Sequence, residues 1–253
     1  MPDFVYPIFG VLLGLIVGSF LATILIRWPK DESIMTGRSQ CDSCGKHLRI
    51  SDLIPVVSFV IRSGKCAFCG SKIQPDHPYI ELGAGLIGGI AFYVEPGWSG
   101  LLGAGFGWLL LVLAALDAKH LWLPDKLTIL LALLGLGSSF WINDPDIINR
   151  LIGGVSGFLG LFLIGWVYKI FRKKEGLGGG DPKLLGAIGC WLGWSALPLV
   201  VLGAALVGII SLITMRLRHQ SITADSALPL GSFMAVTAFP LWIAQTAIGG
   251  FIL

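Results

Sequence analysis

Long runs of residues without charge dominate this sequence, and they limit what the chain can fold into. The runs are residues 5–26, 82–94, 97–116, 127–143, 151–168, 184–215 and 227–253. Most are long enough to cross the hydrocarbon core of a bilayer, which takes about 20 apolar residues. Only 13% of the residues are charged and the mean hydropathy is +0.81; a water-exposed surface this apolar would aggregate. The chain is therefore predicted to be an all-α polytopic membrane protein.

The run 184–215 decides how many spans are predicted. As one helix it would extend about 48 Å at ~1.5 Å per residue, whereas the hydrocarbon core is about 30 Å thick. It is either one strongly tilted helix or two short helices that break near Gly193. Cytoplasmic segments are enriched in Lys and Arg, and eight spans with the N-terminus outside leave Arg150 as the only such residue on the outer side. A single span here would also place Arg216 and Arg218 outside, so we predict eight spans.

Glycine is abundant, with 35 of the 253 residues, and several glycines recur four residues apart. In a membrane, small residues at this spacing let two helix backbones pack closely. The repeats are Gly10, Gly14 and Gly18, Gly85 with Gly89, and Gly153 with Gly157. We interpret these glycines as packing positions without a catalytic role.

The only long polar segment, residues 29–78, contains the pairs CDSC and CAFC, separated by about 21 residues. This is close to the spacing of a four-thiolate zinc site. The predicted topology places the segment in the reducing cytosol, where disulfides are rare, and so small an insert gains folding energy from a metal. The predicted ligands of a structural Zn²⁺ are Cys41, Cys44, Cys66 and Cys69; redox or disulfide pairing is the alternative. Cys190 is interpreted as a small core residue.

Three acidic residues, Glu81, Asp117 and Asp181, lie at the edges of predicted spans, where charged side chains are rare and usually functional. The topology, fixed from Lys and Arg alone, places both aspartates at the cytosolic ends of their helices. Two carboxylates at matching depth could meet and share a proton, because like charges a few ångströms apart do not ionise together cheaply. One could then activate water while the other, protonated, polarises a carbonyl group. Simple complementarity to a helix dipole is the alternative for Asp181.

The segment GLGGGDPKLLG places four glycines directly before Asp181. A peptide substrate must pair its backbone with something as it is cleaved, and bare backbone beside a reactive carboxylate permits that approach. A solvated loop that happens to precede a helix is the alternative. We predict that these glycines serve the approach of a substrate backbone.

These motifs resemble, in type and order, those of the type IV prepilin peptidases, also called prepilin peptidase/N-methyltransferases. The resemblance covers nearly the whole chain. It rests on GSFLATILIRWP in the first span, both cysteine pairs with DLIPVVS between them, HPYIELGAG, LDAKHLWLPDKLT, GLGGGDPKLLGAIGCWLGW and ALPLGSFMA. It implies an intramembrane aspartyl protease of the GxGD type, with Asp117 and Asp181 at the two catalytic positions.

Proteins of this family remove the short basic leader from prepilins or pseudopilins, after a glycine, at the cytosolic membrane face. Many then methylate the new N-terminal residue with S-adenosylmethionine. The resemblance implies both activities here, in the bacterial cytoplasmic (inner) membrane, in the service of type IV pili, type II secretion or DNA uptake. The implied partners are prepilin or pseudopilin precursors and the lipid bilayer. No nucleic-acid partner is expected, because the net charge of +3 comes from loops between apolar runs.

The chain departs from the family pattern at several positions. They are Ala22, Ile26, Asp42, Leu230 and Ser232, where the pattern has Asn, Tyr, Pro, Phe and Pro. We expect none of them to touch the aspartates, so proteolysis should be little affected. Several lie in the N-terminal third, which the family uses for methyl transfer. No glycine-rich nucleotide-binding loop of Rossmann type shows where a methyl donor would bind.

Four further polar residues lie near the predicted site. Asp125 is expected to orient a loop or cap a helix, and His120 to lie at the membrane interface. Lys183 could act on a carboxylate or extend to the interface. Glu81 is either a polar packing contact or part of a methyl-transfer site, and both alternatives stay open.

Three domains are predicted: a first transmembrane helix at residues 1–28, a cytosolic tetracysteine domain at 29–78, and a transmembrane aspartyl peptidase core at 79–253. The alternative function is a small membrane carrier or metal-handling protein that uses the aspartates as an ion relay. Carriers commonly contain internal repeats, and the sequence shows none. A peptidase-like scaffold without activity is disfavoured because both aspartates are present.

Overall fold

The computed structural model describes residues 4–34, 40–41, 43–142, 144–174, 176–218 and 228–248. Within these residues every regular element is helical, and extended pairing is limited to two isolated bridges. The α-helices are α1 (Val5–Arg27), α2 (Val57–Ile61), α3 (Asp76–Val94), α4 (Trp98–His120), α5 (Asp125–Gly137), α6 (Ile147–Arg172), α7 (Asp181–Leu192), α8 (Leu197–Leu217) and α9 (Leu230–Ile248). The all-α prediction is confirmed. Asp42 and the ends of the last apolar run lie outside the described residues.

Five helices in the described part of the chain are long and apolar enough to cross a membrane. They are Val5–Lys30, which extends α1 by one 3₁₀ turn, Trp98–His120, Ile147–Arg172, Leu197–Leu217 and Leu230–Ala247. The chain is therefore a multi-pass membrane protein. Helices α5 and α7, with 13 and 12 residues, are shorter than a straight membrane-crossing helix. The count of eight spans and the outer position of the N-terminus stay predictions.

The chain forms two compact units, Met1–Trp108 and Leu109–Leu253, which divide within α4. The first unit contains α1, α2, α3 and the first part of α4, and the second unit contains the remaining helices. The three predicted domains, with boundaries at residues 28 and 78, stay a prediction.

Helices α1 and α3 pack backbone to backbone in the first unit. A methyl group added at Gly14 would overlap the carbonyl oxygen of Ala84, and one added at Gly10 would overlap that of Gly88. The indole N–H of Trp108, in α4, donates to the Ala84 carbonyl oxygen at 2.8 Å. Such close approach is possible only between small residues, so the predicted packing role of these glycines is confirmed.

Helix α7 is the buried centre of the second unit. Every residue of α7 except Lys183 is buried, and the helix contacts α5, α6, α8 and α9. It packs closely on α6, because a methyl group at Gly153 would overlap the carbonyl oxygen of Gly189 and one at Gly157 would lie 2.8 Å from that of Leu185. Burial on all sides explains why this short segment carries no polar stripe.

The long apolar run breaks where the sequence predicted a break. Helix α7 ends at Leu192, and Gly193 follows with a φ of 77°, a conformation that costs little only for glycine. Helix α8 begins four residues later, at Leu197. The two-helix interpretation of residues 184–215 is therefore confirmed.

Arg150, the cation predicted on the outer side, is only 1% exposed. Its guanidinium donates to the carbonyl oxygens of Gly135 at 2.7 Å and Pro145 at 2.8 Å, and to the Ser138 hydroxyl at 2.6 Å. Two of these acceptors lie at the end of α5, where helix carbonyls lack intrahelical partners. Arg150 thus closes that helix end, and the carbonyl oxygens compensate its buried charge.

Gly14→Ala is expected to destabilise the first unit, because the new methyl group overlaps the Ala84 carbonyl oxygen and forces α1 and α3 apart. Overpacking of this kind typically costs about 1–3 kcal/mol. Gly105→Ala is the matched control, since a methyl group added there would meet no atom within 4 Å. Thermal unfolding of the purified protein in detergent measures both, and equal melting temperatures for the two variants would contradict the close packing.

Candidate active site

Three segments of the second unit meet around two buried carboxylates. Asp117 lies near the end of α4 and is 4% exposed, and Asp181 opens α7 and is 7% exposed. The third segment is the first turn of α9, at Gly231 and Ser232. The structure brings the two predicted catalytic residues to one place and adds a segment that the predicted site did not contain.

The carboxylate of Asp117 caps the N-terminus of α9. The backbone N–H of Ser232 donates to Oδ2 of Asp117 at 2.7 Å. The Ser232 hydroxyl lies 3.0 Å from the same oxygen and 2.8 Å from the carbonyl oxygen of Ala114. The first N–H groups of a helix have no acceptor within the helix, and the helix dipole adds a favourable potential there. The cap therefore offsets part of the cost of burying this carboxylate.

A short reciprocal turn holds Asp181. The backbone N–H of Gly178 donates to Oδ2 of Asp181 at 3.1 Å, and the Asp181 N–H donates to the Gly178 carbonyl oxygen at 3.2 Å. The carboxylate also lies in the first turn of α7, where the dipole favours an acid. Both aspartates are thus held at helix N-termini, one by its own helix and one by a distant helix.

The two carboxylates interact with each other, because the two acids repel each other when both are charged. Two neighbouring carboxylates do not ionise together cheaply, so a pair of this kind is able to share one proton. A pair of acids in opposite protonation states can serve as base and acid in one reaction.

The residues next to the aspartates are glycines mainly because neighbouring protein atoms leave no room for a side chain there. A methyl group at Gly231 would lie 3.0 Å from Oδ2 of Asp117, and one at Gly180 would lie 2.7 Å from Cβ of Leu123. A methyl group added at Gly179 would meet no atom within 4 Å. The predicted approach of a substrate backbone therefore applies best to Gly179, since the other two glycines make room for internal packing.

Ser232 overturns one expectation from the sequence. No departure from the family pattern was expected to touch the aspartates, yet Ser232 gives Asp117 a backbone N–H and places a hydroxyl beside it. The expectation is wrong because the two residues are 115 positions apart and meet only in the folded chain. The motif ALPLGSFMA was the only signal that this segment mattered.

Lys183 binds Asp125 instead of either buried aspartate. Its Nζ lies 2.6 Å from Oδ1 of Asp125, and both side chains are well exposed. The pair joins the starts of α5 and α7, and an exposed ion pair contributes only about 0–1 kcal/mol. His120 is also exposed, at the end of α4.

The four cysteines predicted to bind metal form one cluster in the first unit. Their sulfurs all lie within 4.8 Å of one another. A tetrahedral zinc site with Zn–S bonds of about 2.3 Å places its sulfurs about 3.8 Å apart, and those of Cys41 and Cys69 are 3.9 Å apart. Four thiol groups in this arrangement fit a tetrahedral, thiolate-binding metal ion.

Each cysteine pair lies on the same kind of turn. The N–H of Gly45 donates to the Cys41 carbonyl oxygen at 2.8 Å, and that of Gly70 donates to the Cys66 carbonyl oxygen at 3.0 Å. Both glycines have positive φ, at 68° and 69°, which other residues rarely adopt. The isolated bridges that close the two turns are Gln40 with His47 and Lys65 with Lys72. The predicted site residues omit these glycines, although the repeated pattern C-x-x-C-G was a signal for them.

The surroundings of the sulfurs favour thiolates at two positions. The backbone N–H of Cys44 lowers the pKa of Cys41 to about 6, and the Ser71 hydroxyl, 3.0 Å away, lowers the pKa of Cys69. The N–H of Lys46 favours the Cys44 thiolate, but desolvation and the neighbouring sulfurs raise the pKa of Cys44 to about 11. Negative charge accumulates between these sulfurs, and a divalent cation would neutralise it.

Two family models match the chain: the bacterial peptidase A24 N-terminal domain over residues 12–94 and the type IV leader peptidase family over residues 104–213. A relative from Pseudomonas aeruginosa named prepilin leader peptidase/N-methyltransferase is 33% identical, over 92% of this chain and 88% of the relative. The chain belongs to the type IV leader peptidase family. The membership predicted from the motifs is confirmed.

Other members of the family with the same name are similar over nearly the same length. One from Burkholderia pseudomallei is 35% identical, over 90% of this chain and 82% of the relative. One from Neisseria gonorrhoeae is 34% identical, over 94% of this chain and 92% of the relative. No solved structure matches the chain. The first family model covers the cysteine cluster and the second covers both aspartates, so the family assignment includes both sites.

Ser232→Ala is expected to slow peptidase activity about ten-fold. A hydrogen bond to a charged group contributes about 1.5–3 kcal/mol, and the lower end applies because the hydroxyl is shared with Ala114. Ser156→Ala is the matched control, since that hydroxyl contacts only the Gly153 carbonyl oxygen of its own helix, at 3.4 Å. Rates measured with a peptide substrate in detergent compare the two, and equal rates would show that the hydroxyl does not act on Asp117.

Replacing one cysteine of each pair, in the double variant Cys41→Ala/Cys66→Ala, is expected to remove bound zinc and destabilise the first unit, since a structural zinc ion contributes folding energy. Cys190→Ala is the control, because that cysteine is buried in α7 and lies outside the cluster. Zinc per chain is measured by mass spectrometry of the purified proteins. Wild-type protein without zinc, or a double variant that retains it, would contradict the metal site.

Proposed function

We propose that the chain cleaves the leader peptide from prepilins or pseudopilins and then methylates the new N-terminus. The observation that carries the cleavage reaction is the pair Asp117 and Asp181, two buried carboxylates that lie near enough to interact with each other. Membership of a peptidase family and the name of the relatives support the same reaction. The family membership and the name of the relatives also count against the alternative of a membrane carrier.

The two aspartates take different roles because their hydrogen-bond donors differ. Asp117 has the N–H and the hydroxyl of Ser232, whereas Asp181 has the N–H of Gly178. Donors to a carboxylate stabilise its charged form. We therefore assign the negative charge of the pair to Asp117 and the proton to Asp181.

Cleavage then follows a water-activating mechanism. Asp117 takes a proton from water as the water oxygen bonds to the scissile carbonyl carbon, and Asp181 gives its proton to the carbonyl oxygen. When the tetrahedral centre collapses, the carbon–nitrogen bond breaks and Asp117 passes its proton to the departing amine. Asp181 regains a proton from a hydroxyl of the same centre, so both acids return to their starting states.

The substrate is a precursor with a short basic leader, cut after a glycine at the cytosolic face of the bacterial cytoplasmic (inner) membrane. The distribution of Lys and Arg supports this orientation, since it places the ends of α4 and α7 that carry the aspartates on the cytosolic side. The open backbone at Gly179 supports the approach of an extended substrate.

Methyl transfer follows cleavage, because cleavage creates the amine that is methylated. S-adenosylmethionine, when bound, would supply a methyl group to the neutral amine, with release of S-adenosylhomocysteine and a proton. The cysteine cluster holds a structural Zn²⁺, and four thiolates leave that ion no open position for chemistry.

Asp117→Asn and Asp181→Asn are each expected to reduce leader cleavage by about 100-fold to 10,000-fold, the contribution typical of a general acid or base. Each variant still occupies the same volume, so the fold should persist. Purified wild-type and variant proteins in detergent are incubated with a prepilin, and loss of the leader is followed by mass spectrometry.

Asp125→Asn is the matched control for this experiment, because Asp125 opens α5, just beyond the helix that carries Asp117, but is exposed and paired with Lys183. It should cleave at close to the wild-type rate. Cleavage that survives either buried substitution would sink the paired-aspartate mechanism, and failure of the wild-type protein on several prepilins would sink the proposed substrate.

A further inference from the structure

A cavity of about 240 Å³ lies within the first unit. Its lining comes from α1, α3, the segment around α2 and the two cysteine turns, and Cys41 and Cys66 form part of its wall. The volume is just below the range of about 300–1,000 Å³ that is usual for small-molecule pockets. The cavity shares no residue with the site of the two aspartates, so cleavage leaves it without a role.

Glu81 gives the cavity a buried carboxyl group. The side chain lies on α3, is 6% exposed and lines the cavity. Within the described part of the chain, the hydrogen bond that it receives comes from the backbone N–H of Val56, at 2.7 Å to Oε2. No cationic side chain pairs with Glu81 among these residues. A buried carboxylate with one neutral donor is poised to bind a cation.

The donor to Glu81 is held in a strained conformation. Val56 has a φ of 60° and a ψ of −47°, which is a genuine outlier for a β-branched residue. Strain of this kind costs about 1–3 kcal/mol and is typically retained at functional sites. The strained turn aims the Val56 N–H at Glu81 and so fixes the carboxylate on the cavity wall.

Cationic and apolar groups complete the lining. Arg62 is already paired with Asp52, whereas Arg27, at the end of α1, donates only to the carbonyl oxygen of Ser33, at 3.5 Å, within the described residues. Arg27 therefore remains available to an anionic group. Ile26 and Phe59 add apolar surface to the same cavity. The cavity thus offers the buried carboxylate of Glu81, the guanidinium of Arg27 and an apolar wall. Its lining also contains Glu32, Lys65, Lys72 and His77, besides the pair of Asp52 and Arg62.

We propose that this cavity binds the methyl donor, S-adenosylmethionine, with Glu81 facing its cationic groups and Arg27 its carboxylate. The proposal rests on the proposed function, which needs a donor site. The donor carries a sulfonium, an ammonium, a carboxylate and a purine, and the lining has a counterpart for each kind of group. A second observation agrees: the first unit matches a family model of its own, the bacterial peptidase A24 N-terminal domain, whereas both aspartates lie in the type IV leader peptidase model, and the relatives carry two activities in their name.

Binding of radiolabelled S-adenosylmethionine to the full-length protein in detergent tests the site directly, by equilibrium dialysis. Glu81→Gln keeps the size and the acceptor for the Val56 N–H but removes the charge, and it should weaken binding about ten-fold or more, as should Arg27→Gln. Glu95→Gln is the matched control, because it neutralises an acid at the end of the same helix, outside the cavity. Leader cleavage by all three variants should stay within about two-fold of wild type, since the sites share no residues.

The outcomes separate this proposal from the proposed function. Weaker donor binding by Glu81→Gln and Arg27→Gln, with cleavage retained, supports the cavity. Wild-type donor affinity in Glu81→Gln overturns it, and lost methylation with unchanged affinity would assign the cavity to the amine instead. A wild-type protein that cleaves prepilin but binds no donor overturns the donor site alone. A wild-type protein that neither cleaves prepilin nor binds the donor overturns the proposed function as well.

Discussion

The second unit depends on keeping two carboxylates inside an apolar helical bundle. An isolated buried carboxylate would be neutralised or expelled, and the protein compensates with backbone N–H groups at the starts of α7 and α9. These donors are present in any helix, because the first turn has no acceptor of its own. Placing Asp117 against the start of α9, and Asp181 in the first turn of α7, therefore satisfies the helix ends and the acids at once. The same arrangement places the two acids near enough to repel each other when both are charged.

Close backbone approach makes that arrangement possible. Helices α6 and α7 meet where Gly153 faces Gly189, and this contact holds α7 at the centre of the unit with its first residue, Asp181, at a fixed position. In the site itself, a side chain at Gly231 would collide with Leu123 and Asp117. The small residues of the chain are thus a condition for the chemistry, because each added methyl group would separate the elements that carry the acids and their donors.

Features with a local signature could be predicted from the sequence. The cysteine pairs, the break at Gly193 and the position of both aspartates at helix ends follow from spacing, backbone preference and the pattern of charged and apolar residues. The contact between Ser232 and Asp117 could not, because backbone N–H groups carry no sequence signature and the two residues are 115 positions apart. The burial of Arg150 was missed for a similar reason: charge rules place a cation on one side of a membrane but do not report carbonyl oxygens that gather around it.

The two units bury acids in a similar way and reach different chemistry. Glu81 and Asp117 each accept a backbone N–H at 2.7 Å, one from the strained Val56 and one from Ser232. Asp117 has a second acid, Asp181, near enough to repel it when both are charged, and this suits the proton exchange that we propose. In the donor site that we propose, Glu81 instead faces a cationic group. A proton-sharing pair suits hydrolysis, and a lone buried anion suits a positively charged ligand, so one chain can carry both reactions without sharing a residue between them.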